Sequence, residues 1–252
     1  MNSTRLPAKL AKEPLIDVVF EVRFASSIPG GSILPGIVFA GLGDQIARVE
    51  SLPAQQLPQQ VRELDSALLY APLTRIVWGS FAVLIGDKTL GIACAMPYPG
   101  WTEFKKAILK VMNILDAANF VTSIERHSLK YVDFFETGQD HAAALQYFDL
   151  ALKLGTHEVV SENTNIRVEL LRGSFLHAIQ IMTSATIQSP NIPERVGAVL
   201  EVGTVQQDPE LDVSRFIRNL PGFLDEIHNA NKQIFFECLS KDGLSKLEPQ
   251  YE

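Results

Sequence analysis

The sequence predicts an α+β protein in which one or more antiparallel sheets are covered by amphipathic helices. Three observations support this class: an N-terminal strand with period-two alternation, a run of short strands joined by tight turns, and two long segments with apolar residues three and four positions apart.

The first element is a strand near the N-terminus, over residues 14–24. One face of this strand is apolar throughout and consists of Ile16, Val18, Phe20, Val22 and Phe24. The other face mixes Asp17, Glu21 and Arg23 with Leu15 and Val19. The pattern predicts a strand with one buried face and one partly wet face.

Further elements follow from periodicity and from turn residues. We predict a glycine-weakened helix, an exposed connector, a three-stranded meander, an amphipathic helix and a long interior strand, at residues 34–50, 51–60, 73–96, 101–119 and 122–136. In the second half we predict a helix, three strands and a final long helix, at residues 142–154, 165–172, 175–187, 195–205 and 213–239. The final helix carries an apolar stripe that includes Ile234 and Phe235, and Pro221 is expected to kink it or to start a second helix.

A faint internal repeat suggests how the chain is organised. Residues 75–85 align with residues 169–179, and Gly-Ser-Phe stands between two apolar strands in both segments. A duplication would give two related sheet-plus-helix halves, at 1–140 and 141–252, with a groove between them as a default ligand site. The alternatives are one continuous domain and a coincidence, because Gly-Ser turns between strands are common.

Composition and charge exclude several classes of protein. The formal net charge of -7 and the pI near 5.3 argue against binding of duplex DNA, which usually depends on a clustered positive surface. No segment reaches the ~18 consecutive apolar residues of a membrane span, and the N-terminus lacks the apolar stretch of a signal peptide. Cys94 and Cys238 lie in apolar runs and predict buried free thiols. We therefore expect a cytoplasmic protein without a membrane association.

The sequence contains none of the common catalytic or cofactor spacings. His-Glu-x-x-His, Cys-x-x-Cys, the Walker loop, the dinucleotide fingerprint and Gly-x-Ser-x-Gly are all missing, so we predict neither a metal site nor a cofactor. Polar residues inside strands remain, and His127, His177 and Glu201 are the candidates for an acid/base group. The alternative is that each of them faces solvent or satisfies a buried partner.

Basic residues inside strands are a second set of candidates. Arg126, Lys130 and Arg172 could bind a phosphate or a carboxylate ligand, because their donors match planar oxyanions. The alternative is a sheet surface with ordinary salt bridges to neighbouring glutamates. Single-stranded nucleic acid would additionally need outward-facing aromatic residues such as Trp78 or Tyr131.

Three segments carry a resemblance to a known family. Residues 10–24, residues 126–133 and residues 223–239 with the Leu-Glu-Pro tail look like a sporadically distributed family of uncharacterised prokaryotic proteins of about 250 residues. The resemblance spans both termini and brings no activity, ligand or catalytic residue with it. The patchy occurrence of that family implies accessory genes, such as those of phage defence or toxin-antitoxin pairs.

These observations favour a non-catalytic binding or assembly module. Such a module would recognise a protein partner, a second copy of itself or a small ligand, through a sheet face or a groove. The absence of catalytic spacing in the sequence motivates this hypothesis. The alternative is a hydrolase or nuclease that uses the histidines and the glutamate named above.

Overall fold

The computed structural model describes residues 6–189 and 192–251, and these residues form an α+β fold. Its strands are β1 Lys9–Leu10, β2 Leu15–Ser26, β3 Ile46–Ser51, β4 Pro72–Trp78, β5 Phe81–Gly86, β6 Thr89–Cys94, β7 Val121–Glu136, β8 Lys153–Leu154, β9 His157–Glu158, β10 Asn165–Arg172, β11 Phe175–Ser189, β12 Ile192–Asp212 and β13 Pro249–Gln250. Its helices are α1 Gly30–Leu42, α2 Gln59–Leu64, α3 Ser66–Leu69, α4 Trp101–Ala117, α5 His141–Leu145, α6 Val213–Cys238 and α7 Lys241–Lys246. The predicted fold class is confirmed.

The chain divides into two compact units whose boundaries differ from the predicted division at residue 140. One unit, called the β4 unit, contains residues 17–129 and 205–228. The other, called the β10 unit, contains the described residues of 1–16, 130–204 and 229–252. Neither unit is continuous in sequence, because β7, β12 and α6 each run from one unit into the other.

In the β4 unit, five strands lie in the order β2-β6-β5-β4-β3, and each successive pair is antiparallel. Their register aligns Phe20, Ile92, Val83 and Ile76 across four strands, and all four side chains are fully buried. Directly opposite residues share a face, so this row is part of the core. Helix α4 contributes Phe104, Ile108 and Met112, which are spaced as an amphipathic helix requires.

An ion pair fixes the connector of the β4 unit. Arg62 in α2 donates from Nε and Nη2 to Oδ2 of Asp87, at 3.0 and 2.7 Å, and both residues are buried. Its Nη1 also donates to the carbonyl oxygen of Leu57. A buried carboxylate needs such a partner, and the pair therefore holds the predicted exposed connector against the β5–β6 turn.

In the β10 unit, the strand order is β10-β11-β12-β7. One face of these strands forms a core with helices, and its buried members include Phe135, Ile181, Leu200, Val202 and Ile234. Ala144 of α5 and Leu247, which directly follows α7, also belong to this core.

Both units use the same order of strands, as a duplicated element would. In the β4 unit, the strands β4, β5 and β6 form a meander, and the earlier strand β2 lies beside β6. In the β10 unit, the strands β10, β11 and β12 form a meander, and the earlier strand β7 lies beside β12. Gly79 and Gly173 have φ values of 55° and 62° and begin the two Gly-Ser hairpin turns. A common turn accounts for the Gly-Ser pairs, but it does not account for the shared strand order.

Two predicted helices are shorter than expected. The helix predicted at 34–50 ends at Leu42, because Gly43 adopts a positive φ and residues 46–51 pair with β4 as β3. The helix predicted at 142–154 ends at Leu145, and Phe148 instead forms a bridge to Leu239. Pro221 lies inside α6, which is one continuous helix, so the proline does not start a second helix.

Candidate functional site: an apolar groove beside strand β10

Strand β10 ends the strand order of its unit, and its side chains alternate between two faces. It pairs with β11 in a regular antiparallel register, with Val168 opposite Ile179 and Leu170 opposite His177. Among the described residues no strand pairs with its other edge. Val168 is 50% exposed although it is a β-branched apolar residue on the helix-facing side of the strand. This side of β10 is therefore only partly covered by its own chain.

A groove of about 240 Å³ lies over this face. Its apolar wall includes Ile166, Val168 and Leu170 from β10, Ile179 and Ile181 from β11, and Ile234 with Cys238 from α6. These side chains line the groove from the two strands on one side and from α6 on the other. The groove can accept apolar groups, and its strand edge can offer backbone donors and acceptors.

The polar rim of the groove carries an ion pair. Arg172 donates from Nη1 to Oε2 of Glu237, and Gln233 donates to the other carboxylate oxygen of Glu237 at 2.8 Å. Burial alone would raise the pKa of Glu237, but these hydrogen bonds outweigh it and lower the pKa. Both side chains of the ion pair are about half exposed, so the pair marks the rim and contributes little to stability.

The environment of the thiol in the groove favours its protonated form at neutral pH. Burial, with the charge of Glu237, raises the pKa of Cys238 to about 11. Reactive cysteines have a lowered pKa, because the thiolate is the nucleophilic form. Cys238 therefore serves as part of the apolar wall, and the predicted burial of both thiols holds more fully for Cys94 than for Cys238.

Beneath the groove, His177 belongs to a buried polar network. Its Nδ1 lies 3.0 Å from Oγ1 of Thr204, and Asn231 donates to the same hydroxyl at 2.9 Å and to the carbonyl of Val202 at 2.8 Å. All three side chains of the network are at most 1% exposed. Burial, aided by the charge of Arg172, lowers the pKa of His177. The imidazole satisfies a buried partner, as the alternative interpretation of this residue required.

The other two acid/base candidates lie elsewhere. Glu201 and Thr204 are three positions apart on β12, which places Glu201 on the sheet face opposite His177, where it pairs with Lys130 at 3.6 Å. His127 is fully buried in the β4 unit among the rings of Phe20, Phe216 and Phe223. The structure thus brings His177 close to Thr204 and not to Glu201.

Each basic candidate has a carboxylate partner. Arg126 lies 3.6 Å from Glu21, and burial with the nearby charge of Arg23 lowers its pKa. Lys130 pairs with Glu201, and Arg172 pairs with Glu237 on the other face of the sheet. These contacts match the interpretation of a sheet surface with ordinary salt bridges. Trp78 is 7% exposed beneath Lys110, so it cannot stack on a nucleobase as the nucleic-acid alternative required.

Several residues of this site have no signature in the sequence. Thr204, Asn231 and Glu237 have no distinctive spacing, and they become partners only through the pairing of β11 with β12 and the placement of α6. One weaker signal does exist. Asn231 stands four positions after Ile227 and three before Ile234, and so continues the buried stripe of α6.

Comparisons with known proteins add no family. No family model matches the chain, and no curated protein matches it.

Within residues 6–189 and 192–251, no group of three or more metal-ligating side chains could hold a metal ion. No helix in the described part of the chain is long and apolar enough to cross a membrane.

Proposed function

We propose that this protein is a non-catalytic binding module that receives an apolar segment of a partner protein in the groove beside β10. The observation that carries this proposal is the groove itself, where an isoleucine-rich wall and the half-exposed Val168 lie next to an unpaired strand edge of the described chain. Exposed apolar surface of this kind is typical of sites for protein recognition.

The size of the groove favours a protein segment over a small ligand. Pockets for drug-sized molecules and cofactors usually enclose about 300–1,000 Å³. The groove encloses about 240 Å³ and is open along one side. A few apolar side chains of a strand or helix would fill it, while the backbone of that segment stayed at the polar rim. In this proposal, the ion pair of Arg172 and Glu237 at the rim orients such a segment.

The alternative of a hydrolase or nuclease receives less support. It needs an imidazole and a carboxylate at hydrogen-bond distance and open to a substrate. His177 is 1% exposed and bonded to Thr204, and Glu201 lies on the other face of its strand. The resemblance noted in the sequence supports the further proposal that the module serves an accessory system such as phage defence or a toxin-antitoxin pair.

The groove can be tested with peptides selected against the purified full chain from a random display library. We expect selected peptides to carry closely spaced apolar residues and to bind the Val168→Glu variant at least about tenfold more weakly, because the new carboxylate would be desolvated. Val49→Glu is the matched control, since Val49 is 51% exposed on the outer strand of the other unit. Failure to select any peptide, or equal loss of binding in both variants, would contradict the proposal.

A further inference from the structure

We infer that β10 also pairs, through its free edge, with β10 of a second copy of this chain, in an antiparallel register centred on Val168. This inference goes beyond the proposed groove, because it adds a second copy of the chain at the backbone edge of the strand, beside the side chains that line the groove. The faces and the charges of β10 together favour this register.

The faces of β10 limit the possible registers. Residues directly opposite each other in antiparallel strands point to the same side of the sheet, so pairing β10 with its copy must place even-numbered residues opposite even-numbered ones. A shift of one residue would turn Ile166, Val168 and Leu170 of one copy against the polar face of the other. Only registers centred on a residue therefore remain.

Among the three registers centred near the middle of β10, on Arg167, Val168 or Glu169, charge then selects one. Centring on Arg167 places two arginines opposite each other, and centring on Glu169 places two glutamates opposite each other. Centring on Val168 places Arg167 of each copy opposite Glu169 of the other, and places Ile166 opposite Leu170. This register therefore pairs opposite charges on one face of the strands and apolar side chains on the other. Like charges directly opposite destabilise a strand pair, whereas opposite charges stabilise it.

The state of these side chains in a single copy fits this pairing. Arg167 Nη2 lies 3.2 Å from Oε1 of Glu169 two positions along the same strand, and both side chains are more than half exposed. An ion pair so exposed contributes little within one chain, and its groups are free to re-pair across an interface. Leu171 is 72% exposed on the same face and would gain cover opposite Asn165.

The strand at the end of the other unit lacks these properties. Strand β3 pairs with β4 through a shift of register between Ile46 and Arg48, whereas β10 pairs with β11 over eight residues without interruption. Irregular edges hinder pairing with another chain, and long regular edges favour it. The regular edge is the one with the self-complementary sequence.

Two variants of the full chain, each with one charge of β10 reversed, test the inference. We expect the wild type to be a dimer in sedimentation equilibrium, and we expect Arg167→Glu and Glu169→Arg each to raise the dimer dissociation constant at least about tenfold by placing like charges opposite each other. A one-to-one mixture of the two variants should dimerise like the wild type, because a heterodimer has only opposite charges in contact. An effect confined to one chain cannot produce this rescue.

Three results would overturn the inference. They are a wild type that stays monomeric, a dimer whose dissociation constant is unchanged by either reversal, and a mixture that is no tighter than the single variants. If the wild type is monomeric and a different protein co-purifies with it on β10, that result also overturns the inference. Peptide binding to the groove of the Arg167→Glu variant is measured in parallel, since Arg167 faces away from the groove. Retained peptide binding would then show that the dimer failed while the proposed function stood.

Discussion

At the scale of single residues, Asp133 is a buried carboxyl group of the β10 unit. Its side chain lies in β7 and is only 4% exposed. Burial, with the nearby charge of Glu13, raises the pKa of Asp133 to about 8. The pKa of Glu13 is itself raised by burial. The folded protein therefore holds Asp133 as a neutral acid at pH 7.

This protonation predicts a particular pH dependence of stability. An unfolded aspartate loses its proton near its ordinary pKa of 3.8, so between roughly pH 4 and pH 8 the folded state binds a proton that the unfolded state has released. Stability should fall as pH rises through this window. Asp133→Asn has no proton to lose, and we expect it to be more stable than the wild type at pH 8 by about 2 to 5 kcal/mol and similar near pH 4.

Urea unfolding at several pH values between 4 and 8 measures this difference. Glu136→Gln is the control, because Glu136 lies on the same strand with a side chain that is 62% exposed. Its unfolding free energy should follow the wild type at each pH. Parallel curves for Asp133→Asn and the wild type would mean that Asp133 is ionised in the folded state.

Residue identities in the site are predictable from sequence only in part. His177 is recognisable as a polar residue inside an apolar strand, but its partner is not, since Thr204 reaches it only through the register of β11 on β12. The same limit applies to Arg172 and Glu237, which are 65 positions apart. Local periodicity fixes the face of a residue, whereas the neighbour across that face depends on long-range pairing.

At the scale of elements, α6 shows how closely periodicity predicts burial. The three- and four-residue spacing of its apolar residues predicts one buried stripe, and Leu220, Leu224 and Ile227 are fully buried as expected. Near its C-terminus the prediction placed both Ile234 and Phe235 on the stripe. Ile234 is 2% exposed, but Phe235 lies beside the stripe and is only partly buried.

Substitutions at these two adjacent positions should therefore differ. Ile234→Ala removes a fully enclosed side chain between α6 and the sheet of its unit, and we expect it to lower the free energy of unfolding by about 2 to 5 kcal/mol. Phe235→Ala should cost less, because part of its ring already contacts solvent. Chemical denaturation at one pH gives both values, with Gln233→Ala as an exposed control on the same turn. The reverse order of the two costs would show that the stripe is rotated toward Phe235.

The strand elements show the opposite limit. Alternation and turn residues predict β4, β5, β6 and β10 almost at their observed bounds. The same signals do not give strand order, so the position of β10 at the end of its unit, which creates the groove and the free edge, has no local signature. The candidate site therefore depends on the order of the strands in the sheet more than on any single helix or strand.

At the scale of the whole molecule, the shared strand order of the two units agrees with the Gly-Ser-Phe repeat, yet the units do not coincide with the predicted halves. The β4 unit requires residues 205–228, which lie far beyond residue 140. Sequence repeats mark related segments of a chain, but compact units form where segments pack, and long strands and helices carry the chain from one unit to another.

This arrangement predicts that the first predicted half does not fold alone. A fragment of residues 1–140 lacks the part of α6 in which Phe216 is fully buried, His228 stacks on Trp101 at 4.0 Å between ring centroids, and Asp225 accepts from Lys105 at 2.7 Å. Without that helix the buried His127 and one face of α4 would be open to water. We expect the fragment to show no cooperative thermal transition by circular dichroism, because the missing helix covers part of the core. Co-expression with residues 141–252 should restore a single cooperative transition. If the fragment alone unfolds cooperatively at a temperature near the thermal midpoint of the full chain, then residue 140 is a true domain boundary.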